Sequence, residues 1–268
     1  MKHILLLLLF INLVWHNSEA QALKVRKYQD ADSLRFKIIN TTIVPMSFEL
    51  HAIDSVKQFT RANGEFIVPA KDTLMNIASI SNLKVIDTTS FNFNHFFTYK
   101  GYYGDPSTIK PDLNYKYTLP FSKRKKVKIN QGFNGKKSHQ SVRSKYALDF
   151  GLKIGDTVVA SRAGMVVRTI SHFKESGDIS FINKANKVVI MHTDGTFGNY
   201  VHLDFEGVLV SEGDQVSVGQ PIGISGNTGY SSGPHLHFVV RREKDIAIPI
   251  QFEGYSTIKQ GKKYKRKD

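Results

Sequence analysis

The feature that most constrains this chain is a texture that allows strands and little else. Past the middle it runs in short Val- and Ile-rich segments broken by glycine: DTVVASRAGMVVRTI, NKVVIMHTDG and VLVSEGDQVSVGQPIGISGNTG. Apolar runs this short, bounded by turn residues, form strands, and the glycines serve turn positions where φ must be positive. Nearer the start, Leu34, Phe36 and Ile38 share one strand face, Phe91 and Phe93 alternate with Asn92 and Asn94, and NTT, ANGE and YGDPS mark turns. A helical period persists nowhere, so the expected class is all-β.

The 268 residues suit two modest domains. The polar, charged segment PFSKRKKVKIN, Pro120 to Asn130, reads as their junction. This gives a β-rich, sandwich-like N-terminal domain over 23–122, a second β domain over 123–254, and a basic tail, 255–268. Residues 1–22 read as an export signal: Met1, Lys2 and His3 precede the apolar run ILLLLLFINLVW, and small residues follow. The run is shorter than the ~20 residues that span a bilayer. Cleavage is expected after Ala20 or Ala22, and the mature protein is expected to be periplasmic or extracellular.

The chain contains no cysteine. Disulfides, a lipid-attached cysteine and thiolate ligands are therefore excluded, and a metal site must draw on His, Asp or Glu. The net charge of +14 concentrates in Lys123, Arg124, Lys125, Lys126 and Lys128 and in the tail KQGKKYKRKD. Such clusters attract polyanions or stand as solvated charge. For an exported chain the matching polyanions are anionic wall polymers or a lipid surface; nucleic acid is not expected.

Near the end, GPHLHF sets His235 and His237 on one strand face with Leu236 directed the other way, into the core. In a chain with ten histidines such a pair is an ordinary occurrence on its own. Two further segments change its weight. In SHQSVRSKYALDF, Asp149 sits inside an apolar run, where a carboxylate is costly unless it caps a turn, pairs with a cation or binds a metal, and His139 precedes it in a polar loop. In NYVHLDF, His202 again falls within a strand-like run. His172 and His192 have surroundings suited to a loop and a hairpin end, and are not expected to take part.

In this order the three segments resemble the lysostaphin-type, or LytM-type, zinc endopeptidases of bacterial cell walls, over roughly Asn130 to Val240. The resemblance implies an antiparallel β-sheet catalytic domain of the duplicated hybrid motif kind, with one Zn2+ per chain bound by His139, Asp149 and His237. It also implies that His202 and His235 stand beside a metal-activated water, and that the substrate is the peptide part of peptidoglycan. The spacing departs from many members, which hold the early His and Asp four positions apart; nine residues separate His139 from Asp149 here. The loop from Lys174 (KESGDISFINKAN) and the segment Gly229 to Gly233 are expected to shape the substrate aperture. A monomer is expected.

Two other readings use the same residues. A non-catalytic wall-binding or regulatory module could share the fold, although degenerate members lose ligands and this chain keeps all three. EGDQVSVGQPIGISG also resembles the hairpins of biotinyl and lipoyl carriers, yet no lysine stands between Lys187 and Lys244 to be modified.

Overall fold

A computed structural model describes residues 22–30, 33–53, 63–81, 93 and 96–267. The expected export signal lies outside the described residues, apart from Ala22. So do Phe91, Asn92 and Asn94. Among the described residues no helix is long and apolar enough to cross a membrane. The chain is all-β, as its texture requires, and divides into two units, Met1–Asp105 and Pro106–Asp268.

The first unit holds β1 (Leu23–Asp30), β2 (Ser33–Asn40), β3 (Met46–Ala52), β4 (Asn63–Val68), β5 (Thr73–Ser81) and β6 (Phe97–Tyr103). They form two antiparallel three-stranded sheets, β1-β2-β5 and β4-β3-β6. Strict alternation along β2 buries Leu34, Phe36 and Ile38. Phe36 of the first sheet meets Phe97 of the second at 5.6 Å between ring centroids, edge to face, so the apolar faces of the two sheets close on one another.

The second unit begins with β7 (Lys116–Tyr117), β8 (Lys126–Gln131), β9 (Leu148–Phe150), β10 (Thr157–Val159), β11 (Gly164–Ile170) and β12 (Ser176–Gly177). It continues with β13 (Asn186–Met191), β14 (Phe197–Val208), β15 (Gln215–Val216), β16 (Pro221–Ser225) and β17 (Gly229–Tyr230). Then come β18 (Leu236–Arg242), β19 (Ile246–Ala247), β20 (Gln251–Phe252) and β21 (Lys263–Lys265). The main sheet runs β15-β11-β13-β14-β18-β9-β8-β21. Its pairings are antiparallel. One face buries Phe121, Ile129, Phe150, Tyr200, Leu203 and Phe238, each worth about 1.5–3 kcal/mol of transfer free energy. Against the opposite face lies a small cluster of Ala147, Val239 and Ala247.

Two boundaries differ from the sequence reading. The division falls at Asp105/Pro106 and not after residue 122, because Tyr117, Leu119 and Phe121 are core residues of the second unit and Phe121 bridges to Val158. A polar, charged segment looked like a linker, but its backbone is held by the fold. The basic tail is likewise no separate appendage: β21 pairs with β8, and Tyr264 packs on the core.

Candidate metal centre

The centre is a row of residues running across neighbouring strands. His237 on β18 is the direct cross-strand partner of Asp149 on β9. Asp149 in turn partners Gln131 on β8, and Val201 on β14 partners His237. Leu148 and Phe150 flank Asp149 and point into the core, as Leu236 and Phe238 do around His237. Period-two alternation therefore sends the carboxylate and the imidazole to the other face together.

His202 joins that row through a β-bulge. Asn186 pairs with Leu203 and Lys187 with Val201, which leaves His202 as the extra residue, with φ at 68°. Tyr200 and Leu203 both reach the core, although strict alternation would have sent Leu203 outward. The bulge turns His202 to the face of His237, with ring centroids 6.0 Å apart, and toward His235 at 4.6 Å. A left-handed, non-glycine residue of this kind costs of the order of 1–3 kcal/mol and is characteristic of functional sites.

His139 arrives from the long loop between β8 and β9. Backbone hydrogen bonds from Asn134 to the Lys145 carbonyl (2.7 Å) and from His139 to the Gly135 carbonyl (3.0 Å) fold the loop back over the sheet. His139 Nε2 then lies 3.2 Å from Asp149 Oδ1, and His237 Nδ1 lies 2.9 Å from the same oxygen. The nine intervening residues thus do not separate the pair. His139, Asp149 and His237 each offer one ligand atom, all within 4.8 Å of one another. A tetrahedral ion with bonds of ~2.1 Å holds its donors about 3.4 Å apart, so two imidazoles and a carboxylate in this arrangement fit a divalent cation such as zinc.

Backbone carbonyls fix how the rings face. Nδ1 of His139 meets the Gly132 carbonyl at 2.9 Å, Nδ1 of His202 the Thr228 carbonyl at 2.6 Å, and Nδ1 of His235 the Gly233 carbonyl at 2.8 Å. A carbonyl only accepts, so these hydrogen bonds assign the proton to Nδ1 and leave Nε2 of each ring for the centre. His235 Nε2 is 3.8 Å from Asp149 Oδ1.

The electrostatics follow from one carboxylate among several imidazoles. Burial by itself would raise the pKa of Asp149, but hydrogen bonds with His139 and His237, and the positive charge of His237 and His235 when protonated, hold it well below the carboxylate range. Burial would lower His139, yet the hydrogen bond and charge of Asp149 prevail and raise it. His237 is lowered, chiefly by burial. His202 is pushed down to about 3 by burial and then by His235 and His237, so it is a neutral imidazole at any ordinary pH.

Gln131 is the functional neighbour that sequence reasoning missed. It is 5% exposed, and its Nε2 donates to Ser138 Oγ (2.7 Å) and to Asp149 Oδ2 (3.2 Å). Its Oε1 accepts from Lys137 N at 3.0 Å. One amide thus steadies both the carboxylate and the loop that carries His139. The available signal was parity: Val127, Ile129 and Gln131 are the buried positions of β8, and a polar residue stands where an apolar one belongs; the register shift between Ile129 and Gln131 turns it to the side of Asp149.

His192 and His172 lie elsewhere. His192 is buried with Nδ1 on the Ala163 carbonyl (2.9 Å), beside Tyr117; His172 packs on Phe173. The two loops expected around the aperture are joined: β12 pairs with β17, and Asn227 donates to Ser176 Oγ at 3.0 Å. Gly229, at φ +82°, allows this, since a Cβ there would fall within 2.5 Å of Ala185.

Residues 143–249 match Peptidase family M23. This part of the chain is similar to the LytM-type domains of that family; the match covers Asp149, His202, His235 and His237, and begins after His139. The chain is 31% identical to an uncharacterized metalloprotease of Buchnera aphidicola over 59% of its own length and 39% of the relative's. It is 37% identical to the peptidoglycan DD-endopeptidase ShyA of Vibrio cholerae, over 42% of this chain and 24% of that one. Lysostaphin of Staphylococcus staphylolyticus is 39% identical over 35% of this chain and 18% of its own. The chain therefore spans well under half the length of these relatives. Among solved structures, lysostaphin from Staphylococcus simulans aligns at 28% identity and TM-score 0.35, covering 46% of this chain and 47% of that one.

Proposed function

We propose that this chain is a zinc-dependent endopeptidase that hydrolyses peptide cross-links or bridges of bacterial peptidoglycan. In this reading His139, Asp149 and His237 hold one zinc ion, and His202 and His235 are the catalytic imidazoles. The observation that carries it is the convergence of five side chains from separate stretches on one face of one sheet, with three rings oriented by backbone carbonyls. Bound zinc would supply a polarised water with a pKa near ~7 and a Lewis acid for the scissile carbonyl. The remaining steps belong to the chain's own side chains.

His202 and His235 present Nε2 to the same pocket, where one takes the proton from the attacking water and returns it to the leaving amine. The other, with a proton on Nε2, donates a hydrogen bond to the developing oxyanion; His202, neutral and with its proton on Nδ1, suits the first role and His235 the second. Gln131 keeps Oδ2 of Asp149 occupied and Oδ1 turned to the two ligand histidines. The paired loops at β12 and β17 form one wall along which an extended peptide can lie. The names of relatives such as ShyA and lysostaphin, together with the M23 match, support the peptidoglycan assignment. Export through residues 1–22 to the periplasm or exterior belongs to the same reading.

Metal analysis of the purified mature chain tests the centre. One zinc per chain, removed by a chelator together with hydrolysis and restored with it, is expected. Stoichiometric zinc without cleavage of any peptidoglycan would instead favour a non-catalytic wall-binding module.

A further inference from the structure

The two basic runs of this sequence, more than 120 residues apart, form one surface. β21 lies at the edge of the main sheet and pairs with β8 in the register Lys263↔Lys128, Tyr264↔Val127 and Lys265↔Lys126. Val127 and Ile129 of β8 are buried, and Tyr264 of β21 packs inward on the same core. Alternation then puts Lys126, Lys128, Lys263 and Lys265 together on the opposite face, and all four are exposed. Two lysines stand directly opposite two others, with Cβ atoms about 5 Å apart across the strands and about 7 Å along them. Among the described residues none of the four makes an ion pair, whereas neighbouring Lys125 is tied to Asp156.

Like charges placed opposite one another destabilise a sheet. Lysine on an edge strand is a familiar guard against edge-to-edge association, and that accounts for Lys263 and Lys265. It does not account for Lys126 and Lys128, because β8 is an interior strand covered by β9 and β21. They stand on the side of the sheet that faces away from the core, the side to which Asp149 and His237 also turn, but none of the four lysines is among the residues that meet at the metal centre. The array is thus a doubled row of cations that edge protection alone does not explain.

We propose that this face is a docking surface for a linear polyanion with regularly spaced phosphates, a phosphodiester-linked polymer of the cell wall. The rows run along the strands, which suits a chain-like anion with repeats of comparable length. A membrane surface fits less well: proteins held at bilayers by cations generally add an apolar anchor beside them, and here the apolar residues of both strands point into the core. The wall location of the polymer rests on the proposed function; the cationic array does not.

The test is binding of the full mature chain to purified poly(glycerol phosphate), followed by fluorescence anisotropy over a salt series, with and without a chelator. The variant Lys126→Gln/Lys128→Gln/Lys263→Gln/Lys265→Gln should bind at least tenfold more weakly at low salt. Its log affinity against log salt should have a slope smaller by about 3, from four cations at ~0.7 each. Its unfolding temperature should be unchanged or higher, because like charges are relieved. Each double variant, Lys126→Gln/Lys128→Gln and Lys263→Gln/Lys265→Gln, should show part of the loss. The control Lys110→Gln/Lys116→Gln should keep full affinity. Absence of binding by the wild-type chain, equal loss in the control, or tighter binding to phosphatidylglycerol vesicles than to the polymer would each overturn the proposal. Because binding is read without turnover and in chelator, loss of peptidase activity alone leaves this outcome distinguishable.

Discussion

Replacing Gln131 by leucine removes one amide of similar size and, with it, three hydrogen bonds: to Asp149 Oδ2, to Ser138 Oγ and from Lys137 N. Ser138 and Lys137 are exposed and can turn to water, so those two bonds are worth about 0.5–1.5 kcal/mol each. The bond to the buried carboxylate counts for more, about 1.5–3 kcal/mol, because the acceptor is charged. Folding stability should therefore fall by about 2.5–6 kcal/mol. The change that matters functionally is that Asp149 can rotate, so that Oδ1 no longer stays fixed between His139 and His237. Groups that orient metal ligands in this way typically contribute 10- to 100-fold to metal affinity, or about 1.4–2.8 kcal/mol. Competition with a chelator of known zinc affinity measures this directly, and saturating zinc should restore most of the turnover. A Gln131→Leu protein that folds and binds zinc within twofold of wild type would refute the positioning role.

His237→Ala should lose the metal, whereas His202→Ala should keep it and lose about 10²–10⁴ in turnover, as metal analysis paired with kinetics would show. His192 is buried, and burial pushes its pKa down to about 4. The unfolded chain binds a proton near 6.5 that the folded chain refuses, so its stabilising contribution is present above pH ~6.5 and is lost as pH falls toward 4. Chemical denaturation at pH 7.5 and 5 should show a drop of about 2 kcal/mol from this residue that His192→Gln removes. A chain beginning at Pro106 should fold cooperatively. One beginning at Lys126 lacks Tyr117, Leu119 and Phe121 from the core, at about 3–5 kcal/mol for each large side chain, and should fail to unfold as a single transition in calorimetry.

Much of the centre could be read from the chain because strand parity is a local property. A histidine two residues from another, and an aspartate between Leu148 and Phe150, must leave the core by the same face once the strands form. Three things were not local. The bulge at His202 arises from the pairing of β13 with β14, and a count of residues along β14 alone would send His202 into the core beside Tyr200. Gln131 acts only through its neighbour in register, Asp149, eighteen residues away. The places of 106–122 and 255–268 depend on long-range contacts as well: lysine-rich segments look like linkers and tails whenever their alternate residues, such as Val127 and Tyr264, are too few to stand out. The loop to His139 shows the reverse case, where an unusual spacing in sequence is absorbed by hydrogen bonds within the loop.

The central claim is that these residues cleave peptide bonds of peptidoglycan with the help of a bound metal. Purified peptidoglycan incubated with the mature chain, with and without chelator, and resolved by mass spectrometry of its muropeptides tests it most directly. New amine and carboxyl termini within cross-links or bridges, absent in chelator and absent with His237→Ala, are the result the account requires. Peptidoglycan left intact by the zinc-loaded protein, or cleaved equally by His237→Ala, would contradict it.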